Sequence, residues 1–407
     1  MTSSVVNGGI SFWYADDGLP AVREPLPGDA TADVVIVGGG YTGLWTAYYL
    51  KKAAPFLRIT VLEQKFCGYG ASGRNGGWLY NGVAGRDRYA KLYGHEAAVR
   101  LQKAMNETVA EVVRVADDEG IDADIVRGGV LEVARTPAQL ARLRAFHEHE
   151  LSYGETDREL YGARETAERI RVADAVGSAW TPHGARLHPV KLVKGLAAAV
   201  EKLGVTIFES TPVTEVRAGR AVTPYGTVRA SYVLRCTEGF TASLKGQRRT
   251  WLPMNSSMVA TEPLSEEQWA AIGWEGRETL GGTWRTRTCT RSAPRTGGSR
   301  WAGAGCRTGS VRGRTTTGVR SRRRWRHCGT SWWTSSLRWR GCGSRTRGRV
   351  CWGGAAGLVC VGDAGPGDGA GLGRRVCRVG GWRRRIWRGG RCAIWCSWTR
   401  GRAAPRS

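Results

Sequence analysis

The sequence predicts an α/β fold combined with an α+β part, and three observations predict it. Val34 to Val37 form a short continuous apolar run, as in a strand buried on both faces of a parallel sheet. A glycine-dense turn follows, after which Leu44, Ala47, Tyr48 and Leu50 recur at helical spacing. Further on, "RITVLEQ" and "LHPVKLVKGLAAAVEKLGVTIFES" continue an alternation of strands and helices.

In chain order, the first informative stretch is "ADVVIVGGGYTGLWTAYYLKK". Gly38, Gly40 and Gly43 give G-x-G-x-x-G: a tight turn, close backbone approach to a pyrophosphate, and tight packing of helix on strand. Tyr41 and Thr42 open the helix, whose N-terminus presents N–H groups and a positive dipole end to phosphates. "RITVLEQ" ends in Glu63, twenty residues after Gly43, where an acid that hydrogen-bonds a ribose diol belongs. Strand, glycines, helix, strand and acid together predict a dinucleotide site. At this point a nicotinamide cofactor, and so an NAD-dependent oxidoreductase, remains open.

The next stretch, "KFCGYGASGRNGGWLYNG", offers backbone donors and one cation to a second phosphate region. Gly70, Ala71, Ser72, Gly73, Arg74, Asn75, Gly76 and Gly77 read G-A-S-G-R-N-G-G. In this context the loop resembles that of the FAD-dependent amine oxidases of the D-amino-acid oxidase type, such as the glycine, sarcosine and glutamylputrescine oxidases. The resemblance covers roughly residues 12 to 280. It implies FAD as the cofactor and runs Ser72, Arg74, Asn75 and Gly76 toward the isoalloxazine. Val213 would bring backbone near the adenine, and Thr237, Glu238 and Gly239 would lie near the pyrophosphate. Arg74 is the best polar group near the flavin, with packing of the loop against phosphate as the alternative role.

The resemblance also implies a Rossmann-like FAD-binding domain with a sheet-containing substrate domain inserted into it. Residues 31–85 and 180–245 are assigned to the first, 86–179 and 246–282 to the second, and 1–30 to an N-terminal extension. The chemistry implied is oxidation of an amine C–N bond, with hydride passing to flavin N5 and electrons to O2 or another acceptor. The substrate is a small amine or amino acid. A substrate bound as free amine requires no acid or base, so no catalytic residue is named.

Within the inserted part, "TVAEVVRVADDEGIDADIVRGGVLEVARTPAQLARLRAFHEHE" reads as helix, strand, helix, with Thr136 capping and Pro137 in the first turn. His188-Pro189 reads as another helix start, and "FHEHE" as an exposed helix face. His95, His147, His149, His183 and His188 are proton carriers only in principle.

The formal charge of +26 suggests a polyanionic partner until its location is considered. Residues 283–407 hold 29 Arg, no Lys and two acids, so the whole excess lies there. The same segment holds 11 of the 18 Trp and nine of the 11 Cys, with no Tyr, Phe, Met, Asn, Gln or Glu. An evolved basic arm mixes Lys with Arg, and a solvated arm avoids Trp and Cys. Nonspecific binding of single strands by "SRRRWRHCGTSWWTSSLRWRGC" is the alternative reading, and no specific nucleic-acid partner is expected.

Read one nucleotide out of register, residues 289–310 permit "YAQRTADGRIALGGRGVPYRF" and 382–397 permit "VATSNLAGRTLRDLVL". Both resemble the family's substrate strands and closing helix, in the right order. A frameshift near Leu280 to Thr283 is therefore expected, leaving 283–407 disordered or poorly packed. His327, Cys328, Cys392 and Cys396 show no metal-ligand spacing, and "CVGDAGPGDGAG" is attributed to chance in a glycine-rich segment. Cys67 and Cys236 alone before residue 283, with no signal peptide or membrane run, predict a cytoplasmic protein.

Overall fold

In chain order the fold runs α1 (Phe12–Asp17), β1 (Ala30–Val37), α2 (Tyr41–Ala53), β2 (Ile59–Leu62), β3 (Trp78–Tyr80), α3 (Arg86–Tyr93), α4 (His95–Asp118) and β4 (Val130–Ala134). Then come α5 (Pro137–Leu151), β5 (Glu159–Gly162), α6 (Ala163–Arg169), β6 (Gly177–Thr181), β7 (Gly184–Arg186), α7 (Pro189–Lys202) and β8 (Thr206–Phe208). The hairpin β9 (Glu215–Arg217) and β10 (Arg220–Val222) leads to β11 (Thr227–Arg235), β12 (Ser256–Ala260), α8 (Glu266–Ile272) and β13 (Thr279–Trp284). Four short strands follow: β14 (Arg287–Ser292), β15 (Gly303–Arg307), β16 (Arg349–Gly353) and β17 (Ser397–Arg400). This computed structural model describes residues 10–250, 256–260, 263–284 and those four strands, with side chains described for 10–250 and 263–281.

One sheet has the order β8-β2-β1-β11-β10-β9, with β17 also pairing β11. β1 runs parallel to both β2 and β11, and the register sets Val37 beside Leu62 on one side and Arg235 on the other. β8 extends the row, with Phe208 opposite Leu62. Both faces are covered. Val34 and Ile36 pack with Leu44, Ala47, Leu192 and Leu196 from α2 and α7. Val35 and Val37 pack on the other side with Ala221, Val228 and Val233. Burial on both faces is why this strand reads as an unbroken apolar run rather than an alternation.

A second sheet has the order β16-β12-β15-β14-β13-β4-β6-β5, antiparallel except where β13 runs parallel to β4. Leu131 and Val133 pack with Ile272 and Trp274, while Ala134 and Ala179 pack with Leu143 of α5. β3 pairs antiparallel with β7, Trp78 opposite Arg186. The expected helix, strand and helix are α4, β4 and α5, and Thr136 accepts the Gln139 N–H at 3.2 Å with Pro137 in the first turn.

At α7 the cap is His188, whose Nδ1 accepts the Lys191 N–H at 3.2 Å. "FHEHE" departs from the expected exposed face at two positions, His147 and the buried Glu150. His149 is exposed and pairs with Asp87, but His147 is half-buried with its Nδ1 buried and unpartnered. Burial, helped by the charge of Arg158, pushes the His147 imidazole below its ordinary range.

The expectation of little packed structure after residue 283 falls mostly outside the described residues. The parts described there are strands: β14 pairs β13 and β15, β16 pairs β12, and β17 pairs β11. The stretch "CVGDAGPGDGAG" and the Cys and His residues weighed there for metal binding also lie outside the described residues. Among the described residues no helix is long and apolar enough to cross a membrane.

Candidate functional site

Because β1, β2 and β11 are in register, the residues just beyond their carboxyl ends meet. Gly38 lies beside Cys236 and Thr237: a Cβ on Gly38 would come 2.5 Å from the Cys236 carbonyl oxygen and 3.6 Å from the Thr237 nitrogen. The Gly38 φ of +110° suits glycine in any case. Gly43, in the first turn of α2, sits directly on this turn, with its hypothetical Cβ 2.0 Å from the Gly38 oxygen. No side chain caps α2 at Gly40, and Thr42 is exposed at its first turn.

Glu63 closes the other side. Its carboxylate accepts the Gly39 N–H at 2.8 Å and the Lys65 N–H at 3.0 Å. Burial pushes the carboxyl up, and those two backbone donors work against that shift. Thr211 donates its N–H to the Glu63 carbonyl at 2.8 Å, which carries the chain on to Val213, half-buried against the apolar cluster around Val35 and Leu62.

The loop from Gly70 to Gly77 lies against this group. Ser72, 8 % exposed, accepts the Tyr41 N–H at 2.9 Å, bridging the loop to the first turn of α2. At Gly40 a Cβ would lie 2.9 Å from the same hydroxyl, and at Gly70 3.1 Å from the Phe240 ring. Asn75 shapes the loop from within: its amide donates to the Ser72 carbonyl at 2.8 Å and its Oδ1 accepts the Gly77 N–H at 2.9 Å. Ala71 and Gly76 are half-buried beside it.

Arg74 is buried, with its Nε on the Tyr69 carbonyl at 2.7 Å and its guanidinium 4.8 Å from the Tyr69 ring centre. Ser72→Ala would leave the Tyr41 N–H without its acceptor at a buried site, an expected cost of about 1–3 kcal/mol. Urea denaturation checks it, and an unchanged midpoint would refute the bridging role.

Sequence reasoning missed three participants. Glu209, fully buried after β8, accepts the Cys67 N–H at 2.7 Å and two donors of Arg23. Trp13 and Tyr14, in the segment taken for an extension, bond to backbone carbonyls of the loop region. The signal available was the aromatic run in "SFWYADD" and an acid directly following a strand in "FES". Among the histidines, His188 serves as a cap, while His183 and His149 pair with Asp157 and Asp87. None belongs to the glycine turn or the loop.

This combination of parallel sheet, glycine turn, terminal acid and second glycine loop defines a dinucleotide-binding oxidoreductase. The chain belongs to the DAO family of FAD dependent oxidoreductases, whose pattern it matches over residues 33–371. The family's cofactor is FAD, so the nicotinamide alternative falls away. The match extends beyond residue 282 into the arginine-rich segment.

The chain is 31% identical over 264 residues to the gamma-glutamylputrescine oxidoreductase of Escherichia coli K12, covering 63% of this chain and 61% of that protein. It is 27% identical over 219 residues to the glycine oxidase of Bacillus subtilis, covering 50% and 53%. The chain thus spans about three-fifths or less of the length of these relatives. Two solved structures share the fold. The glycine oxidase of Bacillus cereus has a TM-score of 0.57 at 17% identity, covering 79% of this chain and 84% of that one. The L-proline dehydrogenase of P. horikoshii has a TM-score of 0.58 at 16% identity, covering 81% and 82%.

Proposed function

We propose that this chain derives from an enzyme that oxidises the C–N bond of a small amine or amino acid. The observation that carries the reading is the bridge between the two glycine segments, Ser72 Oγ to the Tyr41 N–H at 2.9 Å. It brings the loop that would line the flavin against the helix start that would hold its pyrophosphate. The cradle fits the cofactor: at Gly38, Gly40 and Gly43 a Cβ would meet neighbouring atoms within 3.0 Å, so no side chain fills the turn where phosphates approach.

In this reading Gly38, Gly40, Tyr41, Thr42 and Gly43 hold the pyrophosphate with Thr237 beside them, Glu63 takes the ribose diol, and Val213 borders the adenine. Gly70, Ala71, Ser72, Arg74, Asn75, Gly76 and Gly77 line the way to the ring. When bound, FAD supplies a hydride acceptor at N5 and a route for electrons to O2 or another acceptor. The protein's part is orientation: a rigid glycine cradle, a carboxylate at the ribose, and a loop held by Asn75 and Ser72. The names of the relatives, a glutamylputrescine oxidoreductase and a glycine oxidase, support an amine or amino-acid substrate. The sheet from β1, β2, β8 and β11 is the FAD-binding domain, and that containing β4, β5, β6 and β13 the substrate domain.

The proposal extends to residues 283–407, taken as an out-of-frame reading of the family's final third. The chain as written would then lack the segment that walls the flavin ring, hold FAD weakly and turn over no amine. Two measurements test this: sequencing the DNA across codons 275 to 290, and comparing this chain with its frame-restored form for bound flavin and peroxide release from primary and secondary amines. Turnover by the chain as written would overturn the incomplete-site reading. Absence of flavin from both forms would overturn the flavin reading itself.

A further inference from the structure

Helix α1 contributes nothing to the glycine turn, yet its two central aromatics grip the loop after Glu63 near both ends. The Tyr14 hydroxyl donates to the Cys67 carbonyl at 2.7 Å, and the Trp13 indole N–H donates to the Asn75 carbonyl at 2.8 Å. Tyr14 is 1 % exposed, and the loop is moulded around it. A Cβ on Gly68 would lie 2.6 Å from its hydroxyl, and one on Gly73 2.7 Å from its ring. The Cys67 peptide is held from the other side as well, since its N–H reaches Glu209 at 2.7 Å.

Helix α1 is itself anchored. Ser11 caps it, and Lys194 of α7 bonds the Asp17 carboxylate and the Gly18 carbonyl, each at 2.7 Å. Trp13 also packs edge-on against His188, the cap of α7, with ring centres 4.8 Å apart.

We propose that Trp13 and Tyr14 are positioning residues for the flavin loop. They hold Gly70 to Gly77 in the shape that the riboflavin half of FAD requires, an inference that rests on the flavin reading above. The loop carries Gly70, Gly73, Gly76 and Gly77, each of which loses more backbone freedom on ordering than any other residue type. Asn75 shapes the turn from within, the Tyr41 N–H to Ser72 ties it to α2, and the Leu187 N–H to the Gly77 carbonyl at 2.8 Å ties it to the segment before α7, but none of these ties it to α1. The two aromatic donors do, and ordering the loop beforehand lowers what the cofactor must supply on binding. The adenosine half faces the Gly38–Gly43 turn and Glu63, which α1 does not touch through these bonds.

The test uses the full chain with Tyr14→Phe, Trp13→Phe and the double variant; Tyr14→Phe removes only the hydroxyl. Without cofactor, amide hydrogen exchange across 70–77 is expected to rise about fivefold per lost bond, with β1 and α2 unchanged. With cofactor, the FAD dissociation constant is expected to rise by a similar factor, and that of ADP, which lacks the riboflavin half, to stay within about twofold. Unchanged exchange in the loop would overturn the proposal. So would exchange rising equally in β1 and α2, or FAD and ADP weakening together, because either marks general loosening. Should neither this chain nor its frame-restored form take up FAD while both take up ADP, the flavin reading fails, and the exchange result still decides whether α1 holds the loop.

Discussion

Gly43→Ala is expected to cost about 3 kcal/mol of stability and, in the frame-restored form, to strip bound FAD from the protein. Two effects of the new methyl group oppose each other. Alanine favours a helix over glycine by about 1 kcal/mol, and position 43 has ordinary helical backbone, so propensity alone predicts a gain. The methyl would, however, sit 2.0 Å from the Gly38 carbonyl oxygen and 3.2 Å from the Ile36 side chain. Both Gly43 and the Gly38 oxygen are backbone, so no rotamer relieves the overlap. Retreat of Gly38 is also blocked, since it already abuts the Cys236 carbonyl.

Overpacking of this kind costs roughly 1–3 kcal/mol or more, which outweighs the propensity gain. The only relief is to push α2 away from β1, and that moves the helix N-terminus from where it would meet the pyrophosphate. A drop of roughly 5 °C in melting temperature should accompany loss of the visible flavin band in the frame-restored form. Gly28→Ala is the control, because a Cβ there meets nothing within 4 Å. If Gly43→Ala melted with the wild type and kept its flavin, the close packing of α2 on the turn would be wrong.

That glycine could be named from the sequence because its constraint is local: a turn, a strand and a helix within a dozen residues write themselves into residue identity. Glu63 was legible for the same reason, at a fixed distance along one βαβ unit. The grip of α1 was not, because Tyr14 meets Cys67 across 53 residues and Trp13 meets Asn75 across 62. Nothing near residue 14 announces a partner that far away, and two aromatics followed by acids read equally well as a surface segment. Glu209 lies further off still, 142 residues from Cys67. Helix periodicity likewise identified α5 but not the orientation of His147, which depends on its packing near Arg158. The polar interior around α3, α4 and α5 was equally invisible, since Arg86, Gln102, Glu150 and Glu155 are all residue types that usually face water.

Arg86→Met tests that interior and is expected to cost about 3–5 kcal/mol. Arg86 and Glu150 are each 7 % exposed, joined by two guanidinium–carboxylate contacts, one of them at 3.0 Å. Arg86 also bonds Gln102 and lies 4.1 Å from the centre of the Tyr153 ring. Gln102 in turn donates to Glu155 at 3.2 Å, and Asn81 donates to the same carboxyl at 2.7 Å. Glu155 is 1 % exposed, and burial pushes its carboxyl above the ordinary range.

Arg86 is therefore the cation for a pocket containing two acids, and removing it leaves Glu150 desolvated without a partner. A surface pair would be worth a few tenths of a kcal/mol; burial makes the difference. The Arg86→Met, Glu150→Leu double variant should recover most of the loss, because apolar replacement of both partners removes the orphaned charge as well as the pair. A group whose folded pKa is raised contributes stability that is complete below its unfolded pKa and is lost as pH rises through the folded value. Glu155 is such a group, raised by burial and also by the charge of Glu150, which Arg86→Met leaves unopposed. The deficit of Arg86→Met should then shrink as pH falls from about 7 toward the ordinary glutamate range near about 4.3. Urea midpoints at several pH values measure it. A deficit that stayed constant, or a double variant no more stable than the single, would mean that Arg86 acts by filling space over Tyr153 rather than by neutralising a buried acid.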